Sequence, residues 1–286
     1  INSTEGWLLF RRAVRDAAGT YDVDAILNAD ISTDVGVGYQ NTSPYRGTFN
    51  GNGHTLNVNI DGSEYYTAPF SMVKDCTIKN LHVTGRVKGS NYTSGLIGSH
   101  PNASGGTVRI DNVQVSTIVT CTSTHCGGFI GHGRSYTHLI NNCKFDGSVL
   151  AGFVIDYAGA IIGWEDGGTA NAVTNCLDNG YYSTKVQHAG MNYAMGTAYG
   201  NVNKNTNNWS YNNWGEVNKA QYSMSVDEMI QNLGADNWTN DGSLIPVPKM
   251  FTDPIGILNV EDLLIAFGSD DWESEGQIVV PKHTQY

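Results

Sequence analysis

The tetrapeptide Gly95-Leu96-Ile97-Gly98 returns as Gly128-Phe129-Ile130-Gly131 and Ala160-Ile161-Ile162-Gly163, and in decayed form as Tyr193-Ala194-Met195-Gly196. The closing glycines at 98, 131, 163 and 196 are spaced by 33, 32 and 33 residues. A second motif keeps step with the first: Ile78-Lys79-Asn80-Leu81, an Ile-x-Asn unit followed by an apolar residue, recurs from Ile110, Ile140 and, with valine leading, Val173. Its asparagines, 80, 112, 142 and 175, lie 32, 30 and 33 apart. Two markers in one phase define a repeating structural unit. A unit of this size buries its apolar face only by stacking on the next, as in a solenoid.

Around Asn80 the segment from Ile78 to Val87 alternates apolar and polar residues, the period of a half-buried strand. The alternation slips by one at the asparagine, so Ile78 and Leu81 both face inward only if the chain bends there. Asparagine suits such a bend because it tolerates left-handed backbone angles. The other copies slip at the same place. The Gly-x-x-Gly unit supplies a short second strand with close backbone approach at its glycines. No segment between the strands reads as a packing helix. Strand, bend, strand and loop with side chains in column make a parallel β-helix, an all-β fold. Leu81, Val113, Cys143 and Cys176 form one inward column. Two rougher coils, at Phe49–Leu56 and Ala68–Ser71, bring the expected count to about six.

Thr4 to Ala18 reads as an N-terminal helix. Trp7, Leu8, Phe10, Val14 and Ala17 fall on one broad face, Arg11, Arg12 and Arg15 lie mostly off it, and Gly19 sits at the stop. A helix over the open end of a β-helix would cover unpaired strand edges. The expected division is a capping helix over 1–20, the β-helix over 21–215, and a C-terminal cap over 216–286.

The segment Tyr45-Arg46-Gly47-Thr48-Phe49-Asn50-Gly51-Asn52-Gly53-His54-Thr55-Leu56, followed by the asparagine motif and the Gly-x-x-Gly motif, resembles the GLUG-motif proteins over about residues 1–196. These are bacterial exported and cell-surface proteins, and the repeat also occurs in immunoglobulin A-cleaving metalloproteases outside their catalytic domain. The resemblance implies a right-handed β-helix and a secreted or cell-surface, adhesin-like setting. It carries no catalytic residues. Ala160 and Tyr193 depart from the motif at its first glycine, which predicts an irregular last coil.

The net charge of −11 is unevenly placed. Residues 1–150 hold 11 acids and 11 bases, and residues 151–286 hold 16 acids and 5 bases. An acidic chain without a basic stripe is a poor nucleic-acid partner. No run of apolar residues is long enough for a membrane-spanning helix. The chain opens at Ile1, which suggests that a leader was removed or not included.

Five cysteines are an odd number. Cys143 and Cys176, stacked in one column, should be thiols behaving as small hydrophobes, since parallel Cβ vectors suit a disulfide poorly. Cys121 and Cys126 bracket a short loop and could bond in an exported protein. A zinc site from Cys121, His125, Cys126 and His132 lacks a ligand spacing, and no metal or other cofactor is expected.

Toward the C-terminus, Val226 to Lys249 is echoed by Val260 to Lys282, with Val, Gly, Asp, Trp and Gly matching at an offset of 34. Each copy reads as a short helix stopped by glycine, an acidic loop, a buried tryptophan and a strand. The run from Asp253 to Leu264 resembles half of a dockerin-type calcium loop. Phe251 and Ile255 stand at its first and fifth ligand positions and cannot bind calcium, so a degenerate cap is expected.

Polysaccharide-cleaving chemistry needs paired carboxylates about 5–9.5 Å apart. The column before the asparagine holds Lys79, Asp111, Asn141 and Thr174, and the column four after it holds Thr84, Ser116, Asp146 and Asn179. Each has one acid without a second beside it. The best polar cluster follows the Gly-x-x-Gly turn: Ser99-His100, His132 and Trp164-Glu165-Asp166. It reads first as a solvated turn row, and as a candidate site second. Three residues before each tetrapeptide stand Tyr92, His125 and Tyr157, an exposed aromatic row suited to sugar rings or to ordinary β-packing. The expected function is a non-catalytic surface module for a glycan or host protein; the alternative is a carbohydrate-active β-helix lyase or hydrolase using His132, Trp164 and Asp166.

Overall fold

The computed structural model describes residues 1–63, 65–102, 105–151, 158–164, 171–182, 225–243 and 245–251, and strands at 202–206, 209–210, 218–219, 272–275 and 278–281. The chain is an all-β parallel β-solenoid of about four turns with few helices. The ladder through the Gly-x-x-Gly strands has four rungs, Phe70, Ile97, Ile130 and Ile162, paired in parallel. The sequence count of about six coils included two rougher ones: Ala68–Ser71 joins this ladder at Phe70, which a single parallel bridge links to Val37, and Phe49–Leu56 falls in strands Tyr45–Asn50 and Thr55–Asp61.

Register follows the motif. Phe49, Ile78, Ile110, Ile140 and Val173 are successive parallel partners, and all five are buried. Leu81, Val113, Cys143 and Cys176 are likewise buried, so this column points inward. The bend that lets both columns face the core lies at the asparagines, whose φ values are 54°, 52°, 53° and 53° at 80, 112, 142 and 175. At the first two bends the amides form a ladder: Asn112 Nδ2 donates to Asn80 Oδ1, and Asn80 Nδ2 to Asn50 Oδ1; at the last, Asn175 Nδ2 donates instead to Asn141 Oδ1. Cys76, Cys143 and Cys176 are buried thiols. Cys121 and Cys126 are joined by a disulfide, which removes both from any zinc site. No group of three metal-ligating side chains occurs among the described residues.

Helix α1 spans Thr4–Ala17, begun by the Ser3 side chain, which accepts from the Gly6 amide. It stops where Ala18 turns left-handed, one residue before the expected Gly19. Trp7, Phe10, Val14 and Ala17 are buried, but Leu8 is 46% exposed. The buried face is therefore narrower than the sequence reading: one stripe at i, i+3, i+7 and i+10. Trp7 packs edge-on against Phe49 and Phe70, and its indole N–H donates to the Val35 carbonyl.

In the first copy of the C-terminal motif, helix α2 (Val226–Leu233) begins with a Ser225–Glu228 capping box and stops at Gly234. Trp238 is buried beside Met229 and Leu233, in a cluster that includes Leu177 of the solenoid. The chain then reaches Phe251, whose ring lies 5.7 Å from that of His82. The helix of the second copy and the calcium-loop resemblance at 253–264 lie outside the described residues, although strands Trp272–Glu275 and Ile278–Pro281 pair antiparallel. No helix among the described residues is long and apolar enough to cross a membrane.

Candidate functional site

Successive coils bring together aromatic rings from the turn before each Gly-x-x-Gly strand (Tyr66, Tyr92, His125) and from the residue after its closing glycine (His132, Trp164). Tyr66 stacks on Tyr92 at 5.2 Å, Tyr92 on His132 at 4.6 Å, and His132 on Trp164 at 4.6 Å. His125 lies tilted against Tyr92 and Trp164, at 5.1 and 4.3 Å. Tyr66, Tyr92 and His125 all have positive φ, 68°, 58° and 64°, a rare conformation for such side chains.

The closing glycine of the motif makes this turn possible. A Cβ on Gly98, Gly131 or Gly163 would come within 2.6, 2.6 or 2.5 Å of the backbone of Tyr66, Tyr92 or Cys126. Only a residue without a side chain lets each aromatic turn sit on the adjoining strand. The repeat that first revealed the solenoid is thus also what packs the ring stack.

The stack differs from both sequence readings of these residues. His132 is 2% exposed, and Tyr92, His125 and Trp164 are half-buried. They are neither a solvated turn row nor an exposed aromatic row, because each covers the faces of its neighbours. Tyr157, Glu165 and Asp166 lie outside the described residues. His100, grouped with His132 in the sequence, turns into a different cluster. It is fully buried, stacked on Tyr136 at 4.4 Å, with its Nε2 2.9 Å from His138 Nε2. Burial first, and His138 next to it, hold its pKa well below the usual imidazole value.

Column counting left Asp146 without an acidic neighbour, and its actual partners are a cation and two neutral groups. Lys144 Nζ lies 3.2 Å from Asp146 Oδ2, to which Gln114 Nε2 donates at 2.9 Å. The Ser116 hydroxyl donates to Asp146 Oδ1, and His82 Nε2 lies 2.8 Å from Ser116 Oγ. This differs from a nucleophile triad. The serine proton already points to a carboxylate neutralised by lysine, and the acid does not orient the histidine. Desolvation lowers the His82 pKa, with the Asp146 charge opposing.

The ring stack opens to the surface at Tyr65, which is 58% exposed and lies 6.0 Å from both Tyr66 and Tyr92. Here a trough begins that the sequence did not reveal. Gln40, Asn41, Ser63, Tyr65 and Tyr66 line a cavity of about 430 Å³. A second, of about 400 Å³, shares Tyr65 and Tyr66 and runs to Tyr39, Gly38 and Arg11. A third, of about 390 Å³, continues from Tyr39 and Arg11 to Leu8, Arg12 and Arg15. Tyr39 is 55% exposed. It is pinned by two backbone hydrogen bonds to Ser43, of 2.8 and 3.1 Å.

The fold and trough define a parallel β-solenoid with an aromatic-lined surface depression. Among solved structures, the chain is similar to the crystal structure of a putative immunoglobulin A1 protease from Bacteroides ovatus. The two align with a TM-score of 0.52 at 13% identity, over 87% of this chain and 91% of that one. At that identity the likeness concerns the fold. No protein-family description matches the chain, and no curated protein matches it in sequence.

Proposed function

We propose that this chain is a non-catalytic, secreted or cell-surface module of the GLUG type that binds a glycan, in an adhesin-like role. The observation that carries the reading is the continuous ring stack emerging at exposed Tyr65, beside a cavity with amide and hydroxyl groups from Gln40, Asn41 and Ser63. Sugar recognition calls for this pairing of flat apolar faces with fixed polar groups. The Cys121–Cys126 disulfide supports an oxidising compartment. The neutralised Asp146 and the proton direction at Ser116 favour binding over turnover. The description of the Bacteroides ovatus protein as a protease is compatible with a shared non-catalytic scaffold.

A glycan array probed with the full chain, followed by calorimetry on the best oligosaccharide, tests the reading. Tyr65→Ala should weaken binding roughly fivefold, from loss of about 1 kcal/mol of ring stacking, without lowering Tm. Tyr92→Ala should weaken binding and also lower Tm, because Tyr92 is held between Tyr66 and His132. An array with no glycan bound, or a Tyr65→Ala variant with unchanged affinity, would remove the basis for the proposal. Glycan turnover abolished by Asp166→Asn would overturn its non-catalytic part.

A further inference from the structure

The trough has two chemically different ends. At Tyr65 it is lined by tyrosines, amides and a hydroxyl. At α1 it is lined, among the described residues, by Leu8, Arg11, Arg12, Arg15, Gly38 and Tyr39, with three guanidinium groups and no carboxylate. This is an unusual place for positive charge in a chain whose net charge is −11. Asp16 lies 3.7 Å from the Arg12 guanidinium and 3.3 Å from that of Arg15, so the group still carries +2 (three arginines less one aspartate). Arg12 and Arg15 are well exposed, with side chains 70% and 63% accessible. Arg11 is oriented by the bond from its Nε to the Gly36 carbonyl. That leaves its two terminal nitrogens for a ligand.

Helix solubility alone would account for scattered arginines on an outer face. It does not account for a cleft that they share with an exposed tyrosine whose main chain is held by backbone bonds of 2.8 and 3.1 Å. The ring offers a stacking surface, and guanidinium groups offer paired donors in a geometry that matches a carboxylate or sulfate. Arg11, Gly38 and Tyr39 line both this cleft and the cavity leading to Tyr65, so one extended ligand can span both ends. Asp34 and Asp61 also line that connecting cavity, Asp61 paired with Lys88 at 3.0 Å, which confines the preference for an anion to the α1 end.

We infer that the trough selects acidic saccharides, with a carboxylated or sulfated sugar seated between Tyr39 and the Arg11–Arg12–Arg15 face of α1 and neutral residues of the same chain running toward Tyr65. This rests on the glycan-binding reading and names the ligand class within it. The arginines set the preference for charge, and Tyr39 sets the preference for a ring over a plain anion.

The test is calorimetry of the full chain with a heparin-derived hexasaccharide, an oligogalacturonide hexamer, a neutral gluco-oligosaccharide hexamer and octaglutamate. At low salt, at least one acidic hexasaccharide should bind about tenfold or more tighter than the neutral one, with the advantage shrinking as salt is raised. Arg12→Gln combined with Arg15→Gln should reduce the acidic sugar to the neutral affinity at unchanged Tm, since both side chains are exposed. Tyr39→Ala should weaken acidic sugars and leave octaglutamate unaffected. Neutral sugar bound as tightly as the acidic ones overturns the inference and leaves the glycan reading standing. Octaglutamate bound as tightly as the acidic sugars, with Tyr39→Ala without effect on either, reduces the cleft to a plain anion patch and overturns it too. If no saccharide binds, both readings fall.

Discussion

At the residue scale, the bend asparagines combine two physical roles that the sequence assigns to a single letter. Each holds a left-handed backbone, which costs an ordinary L-residue about 1–2 kcal/mol, and each presents an amide that can join a ladder along the solenoid. Asn112 does both, with φ 52° and its Nδ2 donating to Asn80 Oδ1. Asn112→Ala loses both and should lower Tm clearly; Asn112→Gly regains the backbone and should lower it less. Equal Tm values for the two variants, measured by calorimetry, would show that backbone conformation is not the cause. The His100–His138 pair gives a different kind of test. Asn171 Oδ1 accepts the His138 backbone N–H and faces His138 Nδ1 at 3.0 Å. That contact places the ring proton on Nδ1, so His138 Nε2 accepts from His100. The Val73 carbonyl 3.1 Å from His100 Nδ1 invites a second proton, but burial resists a charge in this closed site. With the folded pKa below the ordinary 6.5, the unfolded chain takes up protons first on acidification. Stability should therefore be fully present above about pH 6.5 and be lost progressively as pH falls toward the folded value. His82, lowered by burial in the same sense, adds to the slope. A urea midpoint that rises as pH falls from 7.5 to 5 would contradict a depressed His100; His100→Phe should flatten the dependence.

At the scale of elements, helix α1 and the coil it packs on are interdependent. Trp7 and Phe10 pack against Tyr45, Phe49 and Phe70, and burying two such side chains is worth about 1.5–3 kcal/mol each. Deleting residues 1–18 should expose those rings together with the edge of strand Ala25–Ile26, and size-exclusion chromatography with light scattering should show aggregation. A folded monomer would make α1 an appendage and rule out the expectation that it caps the solenoid. The strands, their bends and the inward columns were legible in the sequence because every coil repeats the same residue for the same physical task. What escaped the reading does not follow the period. His100 and His138 are 38 residues apart, off the repeat of about 32. Leu8 belongs by periodicity to the apolar face of α1, but the coil beneath is wide enough for only one stripe. The trough joins a helix, the Tyr39 turn and the Tyr65 turn, three segments that share no motif.

At the scale of the whole molecule, the first 150 residues, electrically balanced, carry α1, the trough and most of the ring stack, while the acidic excess lies further along the chain. The paired parallel strands also set how the molecule responds to a pull. Their hydrogen bonds run along the solenoid axis, so tension between the two ends loads the rungs in series and strips them one coil at a time. Each coil of about 32 residues releases on the order of 100 Å of chain at 3.3–3.6 Å per residue. A surface module tethered at one end and holding a ligand at the other would thus lengthen in steps under flow, yielding slack before its grip is forced open.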